Sequence, residues 1–258
     1  MIWEWHIFFR LQNRAGWQNR MPRAVACLLL VFWPISPNLT AATIAGQARL
    51  ANTGGSSSAK SGKSSNVVVW LEAIGAPAAP VAGKHARMLQ EDKKFTPHLL
   101  AIRVGTSVDF PNLDPIFHNA FSNFNGKVFD IGLYAPGLSR TVRFDRSGIV
   151  RVFCNIHPAM SAVIVVIDSP YFAVTADDGS FSVAGLDDGE YKIHFFHERA
   201  TPETLEKLTR TVTVKDKTDL PPVEISEAGY LPVAHKNKYG REYSKDSDTG
   251  KNYSLPLK

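Results

Sequence analysis

Short runs of β-branched and aromatic residues recur along the chain from residue 67 to residue 214, and Gly, Pro, Asn, Asp and Ser separate them. Runs of about four to eight residues at close spacing are typical of the strands of a β-sandwich. The sequence therefore predicts an all-β chain, with one short helical turn at 202–208. The runs at 99–104 and 107–110 predict a hairpin. We predict strands at 44–50, 67–73, 99–104, 107–110, 129–133, 140–144, 149–153, 162–167, 171–175, 180–183, 191–196 and 210–214.

A short segment between two of these runs combines three kinds of metal-binding side chain. Cys154, His157 and Met160 follow one another in the pattern C-x-x-H-x-x-M, after the run at 149–153 and before the apolar run at 162–167. Thiolate, imidazole and thioether groups are soft or borderline ligands that suit copper. The sequence thus predicts a metal site on a short loop between two strands.

A further ligand is expected from a distant part of the chain. His118 is the candidate, because it lies at the end of a β-type run and Asn119 follows it. Two His, one Cys and a weak axial Met form the ligand set of mononuclear electron-transfer copper sites. We predict that His118, Cys154 and His157 bind one copper ion, with Met160 as the axial ligand. Asn119 is predicted to tie the two ligand segments together by hydrogen bonds.

The combined pattern F-x-N-x-D-x-x-x-H-N and C-x-x-H-x-x-M resembles that of the cupredoxins, and the short loop spacing is most similar to that of amicyanin. The residues that match are Phe110, Asn112, Asp114, His118, Asn119, Cys154, His157 and Met160. The resemblance implies a Greek-key β-sandwich, one type 1 (blue) copper ion and transfer of single electrons between redox partner proteins. It implies no enzymatic activity.

The chain beyond residue 168 repeats the β-type pattern on a smaller scale. Its frame D-G-x-F-x-V-x-x-L-x-x-G-x-Y-x-I resembles the carboxypeptidase regulatory-like and carbohydrate-binding-like sandwiches, which implies a second, smaller, transthyretin-like β-sandwich. We predict an N-terminal extension and signal peptide at 1–42, a cupredoxin domain at 43–168, this sandwich at 169–226 and a disordered polar tail at 227–258. The whole arrangement resembles bacterial proteins labelled methylamine utilization proteins.

The N-terminal segment has the features of a secretory signal. Residues 21–42 combine a short basic start, an apolar stretch and small residues at the end, and the start codon is either Met1 or Met21. The apolar stretch is too short for a confident membrane span. Removal of the signal would leave Cys154 as the one cysteine, so no internal disulfide can form, and copper ligation explains a lone thiol in an oxidising compartment. We therefore predict a periplasmic protein.

The charge distribution argues against nucleic acid as a partner. The formal net charge is +5, but residues 1–42 hold four Arg against one Glu, and residues 227–258 hold six Lys or Arg against four Asp or Glu. The middle of the chain is therefore nearly neutral. It offers no basic surface for a phosphate backbone.

Three functions fit these features. The first is a blue-copper electron carrier, the second is periplasmic copper capture or delivery, and the third is a glycan-binding module whose metal site only stabilises the fold. The sequence His197-Glu198 begins like a zinc-protease motif but lacks the second His, and one thiol excludes a thiolate-bridged binuclear centre.

Other side chains carry weaker expectations. Met88 and His98, upstream of the predicted hairpin, are predicted to lie at the surface; the alternative is that either contacts the metal site or a second copper ion. Pro158 and its apolar neighbours are predicted to frame an exposed edge of His157, where electrons would enter or leave.

Overall fold

The computed structural model describes residues 41–51, 66–75, 84–123, 126–231 and 235–243. These residues form eighteen strands and one short helix, so the prediction of an all-β fold is confirmed. In chain order the elements are β1 (Ala42–Ala51), β2 (Val68–Ala73), β3 (His85–Arg87), β4 (Leu89–Glu91), β5 (Lys94–Thr96), β6 (Leu99–Arg103), β7 (Ser107–Pro111), β8 (Phe121–Ser122), β9 (Phe129–Asp130), β10 (Ser139–Arg143), β11 (Gly148–Phe153), β12 (Ser161–Ile167), β13 (Tyr171–Val174), β14 (Ser180–Leu186), β15 (Gly189–Phe196), α1 (Pro202–Leu208), β16 (Arg210–Val214), β17 (Lys217–Asp219) and β18 (Val223–Ser226).

Two sheets enclose the core that lies beneath the predicted metal loop. One sheet has the strand order β10-β7-β3, and the other has the order β6-β12-β11-β8-β9. Side chains from both sheets, among them Phe110 on β7 and Ile164 on β12, are fully buried in this core. Met88 is also fully buried there, so its predicted surface position is wrong.

A second pair of sheets encloses a separate core. The order β13-β2-β15-β16 forms one sheet, and β14-β1-β17 forms the other, with β18 paired beside β1. Ile44 on β1, Leu71 on β2 and Ile193 on β15 are all fully buried within this core. The cores thus belong to two sandwiches.

A third apolar layer joins the two sandwiches. Val163, Val165 and Ile167 project from β12 toward Val68 of β2 and Phe196 of β15. Strand β12 is buried on both faces because its alternate residues enter the first core, which explains its unbroken apolar sequence. Burial of each such side chain contributes about 1.5–3 kcal/mol. This layer packs the two sandwiches against each other.

An ion pair reinforces this contact at the surface. The ring Nε2 of His98 lies 2.8 Å from the Glu198 carboxylate, and its Nδ1 lies 3.0 Å from the Ser161 carbonyl oxygen. The hydrogen bond with Glu198 raises the pKa of His98. His98 is partly exposed, and its partners lie on the second sandwich and on β12.

The strand pairing differs from the predicted division of the chain at residue 168. Strand β1 pairs with β14, β17 and β18, and strand β2 pairs with β13 and β15. Residues 42–51 and 68–73 thus belong to the second sandwich rather than to the first. The short apolar strands carry no local signal of their partners, since pairing depends on contacts far apart in sequence.

The predicted hairpin between 99–104 and 107–110 is wrong. Strand β6 pairs with β12, whereas β7 pairs with β10 and β3 in the opposite sheet. Gly105 has a φ of 90°, which turns the chain sharply from one sheet to the other. Both strands still place side chains in the same core. The apolar pattern of the sequence is therefore the same for a hairpin as for this crossing between sheets.

The remaining predictions concern the helix and the chain ends. Helix α1 matches the predicted turn; Thr201 caps its N-terminus and Pro202 begins it. The signal predicted at 21–42 lies, up to residue 40, outside the described residues. Within the part of the chain that the structure describes, no helix is both long and apolar enough to cross a membrane.

Candidate metal centre

The loop between β11 and β12 brings a thiol and an imidazole together. Its ends are closed by hydrogen bonds from Cys154 N–H to Met160 O (3.2 Å) and from Met160 N–H to His157 O (3.0 Å). This tight turn places the Cys154 Sγ 3.7 Å from the His157 Nδ1. Both side chains are buried, at 0% and 2% exposure.

His118 reaches the same point from a distant segment. Its backbone exchanges two hydrogen bonds with Tyr134, of 3.2 and 2.9 Å, which fix the segment beside the core. The His118 Nδ1 lies 3.8 Å from the Cys154 Sγ and 3.1 Å from the His157 Nδ1. The structure thus brings together three of the four predicted ligands, in a buried cluster.

Asp114 orients the His118 ring. Its Oδ2 lies 2.7 Å from His118 Nε2, so the ring donates from Nε2 and keeps the lone pair of Nδ1 for a metal. The carboxylate also accepts the backbone N–H groups of Asp92 and Lys93, at 2.8 and 2.9 Å. Burial alone would raise the pKa of Asp114, but these three hydrogen bonds prevail and lower it. Burial lowers the pKa of His118, which favours the neutral imidazole that binds metals.

Two asparagines hold the segment that carries His118. Asn112 is fully buried; its side chain accepts the Asp114 N–H at 3.1 Å and donates to Ile116 O at 2.8 Å. Asn119 accepts the Asn155 N–H at 2.8 Å, which confirms the predicted tie between the two ligand segments. The relative position of His118 and Cys154 is therefore set by hydrogen bonds as well as by packing.

The Cys154 thiol is fully buried and free of any disulfide. Burial raises its pKa, while the N–H groups of Asn119, Ile156 and His157 hydrogen-bond toward the sulfur and favour the thiolate. A bound metal cation would favour the thiolate further, because a coordinating thiol loses its proton. Met160 is fully buried in the same core as Cys154, and its role as axial ligand stays a prediction.

The distances between the ligand atoms fit a single metal ion. Bonds of about 2.0–2.1 Å to nitrogen and about 2.3 Å to sulfur, at angles of about 100° to 120°, place the ligand atoms about 3.1–3.8 Å apart. The observed separations are 3.1, 3.7 and 3.8 Å. One thiolate with two imidazoles suits copper or zinc, and a nearby thioether favours copper.

Two other histidines lie away from the His118, Cys154 and His157 cluster. His194 stacks on Trp70 with ring centroids 4.8 Å apart, and His197 faces Glu227, both within the second sandwich. Sequence reasoning missed a different pair near the metal loop, His235 and Tyr243. They stand in a polar tail without hydrophobic periodicity, so their aromatic rings were the only available signal.

The ligand loop is covered rather than exposed. The sequence predicted an exposed edge of His157 beside Pro158, but His157 is 2% exposed. His235 Nε2 lies 2.7 Å from the Pro158 carbonyl oxygen, so part of the tail lies over this side of the loop.

No protein-family model matches the chain, and no curated protein is similar to it. Solved structures similar to it include a purple cupredoxin from Nitrosopumilus maritimus, with 26% sequence identity and a TM-score of 0.29. The match covers 32% of this chain and 99% of the cupredoxin chain.

Two further structures are an amicyanin variant in the reduced state and the copper-containing nitrite reductase from Thermus scotoductus SA-01. The amicyanin variant is 20% identical with a TM-score of 0.31, over 38% of this chain and 98% of that one. The reductase is 22% identical with a TM-score of 0.31, over 46% of this chain and 28% of that one. Since these TM-scores are low, the function is inferred from the residues of this chain alone.

Proposed function

We propose that this protein is a mononuclear copper protein that carries single electrons between redox partners and is not itself an enzyme. His118, Cys154 and His157 would hold one copper ion as equatorial ligands, and Met160 would be the axial ligand. The observation that carries the proposal is the buried His–Cys–His cluster, whose ligand atoms lie 3.1–3.8 Å apart.

Contacts outside the cluster hold the proposed ligands in place. Asp114 holds the His118 ring, Asn119 joins the two ligand segments, and the turn from Cys154 to Met160 fixes the loop. Copper supplies one-electron chemistry by alternating between Cu(I) and Cu(II). Ligands held this firmly move little when the charge changes, which is what rapid electron transfer requires.

Burial of the ligands favours a carrier over an enzyme. The side chains of His118, Cys154 and His157 are at most 2% exposed, so within the described residues the cluster has no open face for a substrate. An electron needs no such opening, because it can pass through a few ångströms of packed protein.

We extend the proposal to the setting of the protein. Export to the periplasm would follow from the signal at 21–42, and donor and acceptor would be redox proteins. The second sandwich, by its resemblance to carboxypeptidase regulatory-like domains, would be an accessory module that contacts glycans. Any connection with methylamine utilization rests on the resemblance of the whole arrangement.

Titration of the metal-free protein with Cu(II) tests the proposal. We expect a visible thiolate-to-copper absorption band that saturates at one equivalent, because the cluster offers one thiolate. The band should bleach with ascorbate and return on reoxidation. Copper binding without this band would favour a delivery protein with another ligand set, and no binding would favour the metal-free glycan-binding module.

A further inference from the structure

Part of the C-terminal tail lies across the metal loop. Residues 235–243, here called the C-terminal strap, belong to the segment 227–258 that the sequence predicts to be disordered. In the structure the strap contacts four residues of the loop region: Phe153, Cys154, Asn155 and Pro158. Its polar composition gave no indication of this position.

Two side chains of the strap bond to backbone carbonyls of the ligand loop. The Tyr243 hydroxyl donates to Cys154 O at 2.7 Å, and the His235 Nε2–H donates to Pro158 O at 2.7 Å. The two side chains also touch, with 3.1 Å between His235 Nδ1 and the Tyr243 oxygen. They therefore hold the loop on both sides of His157, at carbonyl groups that would otherwise turn to water.

The strap is anchored to both ligand-bearing segments. The Lys238 N–H donates to Asn155 Oδ1 at 3.0 Å, and its Nζ lies 2.7 Å from Asp130 Oδ2. The other oxygen of Asp130 accepts from Asn119, next to His118. The His235 ring stacks on Phe153, with centroids 4.0 Å apart and planes at 22°. Apolar contact and directed hydrogen bonds thus act together.

We propose that the C-terminal strap closes the metal centre, with Tyr243 and His235 as positioning residues for the loop that carries Cys154 and His157. The strap holds the loop in its ligand-binding form and shields the cluster from solutes. It follows that a redox partner meets the strap, rather than a bare edge of His157. This inference rests on the proposed function in taking the His–Cys–His cluster as a metal centre and in expecting a redox partner.

Alkylation of the metal-free protein tests the strap independently of copper. The protein is treated with iodoacetamide at fixed pH, and peptide mass mapping measures the alkylation of Cys154 separately from that of Cys27. In the full-length double variant His235→Ala/Tyr243→Phe we expect the Cys154 alkylation rate to rise by about tenfold or more, because two hydrogen bonds that oppose local opening are lost. The matched control is Tyr239→Phe, on the same strap but 71% exposed. Cys154 in this variant should be alkylated at the same rate as in the protein without substitutions.

Hydrogen exchange provides a second measurement that does not depend on thiol chemistry. The amides of Cys154 and Met160 close the loop, so their exchange should accelerate in Tyr243→Phe alone, while the amides of β12 stay protected. Circular dichroism establishes that each variant is folded. Unchanged alkylation and unchanged exchange in the folded variants would overturn the proposal, whatever the outcome of the copper titration.

Discussion

Replacing Cys154 by serine is expected to abolish the visible copper band and to weaken copper binding by more than the roughly 10- to 100-fold that loss of an outer partner costs. The thiolate is the one soft anionic ligand of the cluster. A serine hydroxyl is a hard oxygen that keeps its proton at neutral pH, so only the two imidazoles would remain as strong ligands. Affinity is measured by competition with a chelator of known strength.

Cys27→Ser is the matched control for this substitution. It makes the same chemical change at the only other cysteine, which lies in the predicted signal segment. We expect its band and affinity to equal those of the unmodified protein. Retention of the band in Cys154→Ser, or its loss in Cys27→Ser, would show that the thiolate ligand has been assigned to the wrong residue.

Asp114→Asn is expected to weaken copper binding by about 10- to 100-fold although Asp114 does not touch the metal. The carboxylate accepts hydrogen bonds from the His118 ring and from two backbone N–H groups. An amide has one acceptor oxygen, and its NH₂ group would face a donor. His118 would keep at most a neutral acceptor in place of the carboxylate that fixes its tautomer.

The same substitution should also destabilise the metal-free protein. Loss of charge-assisted hydrogen bonds at this buried site is expected to lower the free energy of unfolding by about 1–3 kcal/mol. Urea denaturation measures this change, and Asp145→Asn serves as the control because Asp145 pairs with Lys127 at the surface. Equal copper affinities for the two variants would show that Asp114 does not support copper binding.

The metal cluster was predictable because its residues carry rare chemistry at short spacing. Cys154 and His157 are three residues apart on a loop whose flanking strands are apolar, so local sequence places them together. His118 is far away in sequence, and the neighbouring Asp114 and Asn119 supplied the pattern that identified it. The structure adds what each of these two side chains bonds to.

The arrangement of the strands was less accessible to sequence reasoning. The apolar pattern of β1 and β2 identifies them as strands, but their partners in the second sandwich follow from contacts more than a hundred residues away. The turn at Gly105 shows the same limit, because a hairpin and a crossing between sheets use the same turn residue. Pairing is decided by the packing of whole sheets, which no local segment encodes.

The strap was missed for a different reason. Composition predicts disorder where few apolar residues are available to bury, and residues 235–243 have that composition. The segment is held instead by a few directed contacts of His235, Lys238 and Tyr243 with the loop and with Asp130. Contacts of this kind depend on a surface that exists only after the sandwich has folded.

Voltammetry of the copper-loaded protein tests the central claim most directly. We expect a single reversible one-electron wave that persists over repeated cycles. Mass spectrometry after the cycles should still detect one copper ion per chain. The physical reason is that buried ligands, held by Asp114, Asn119 and the loop turn, keep their positions in both oxidation states. Loss of copper on reduction, or the absence of a reversible wave, would contradict an electron carrier.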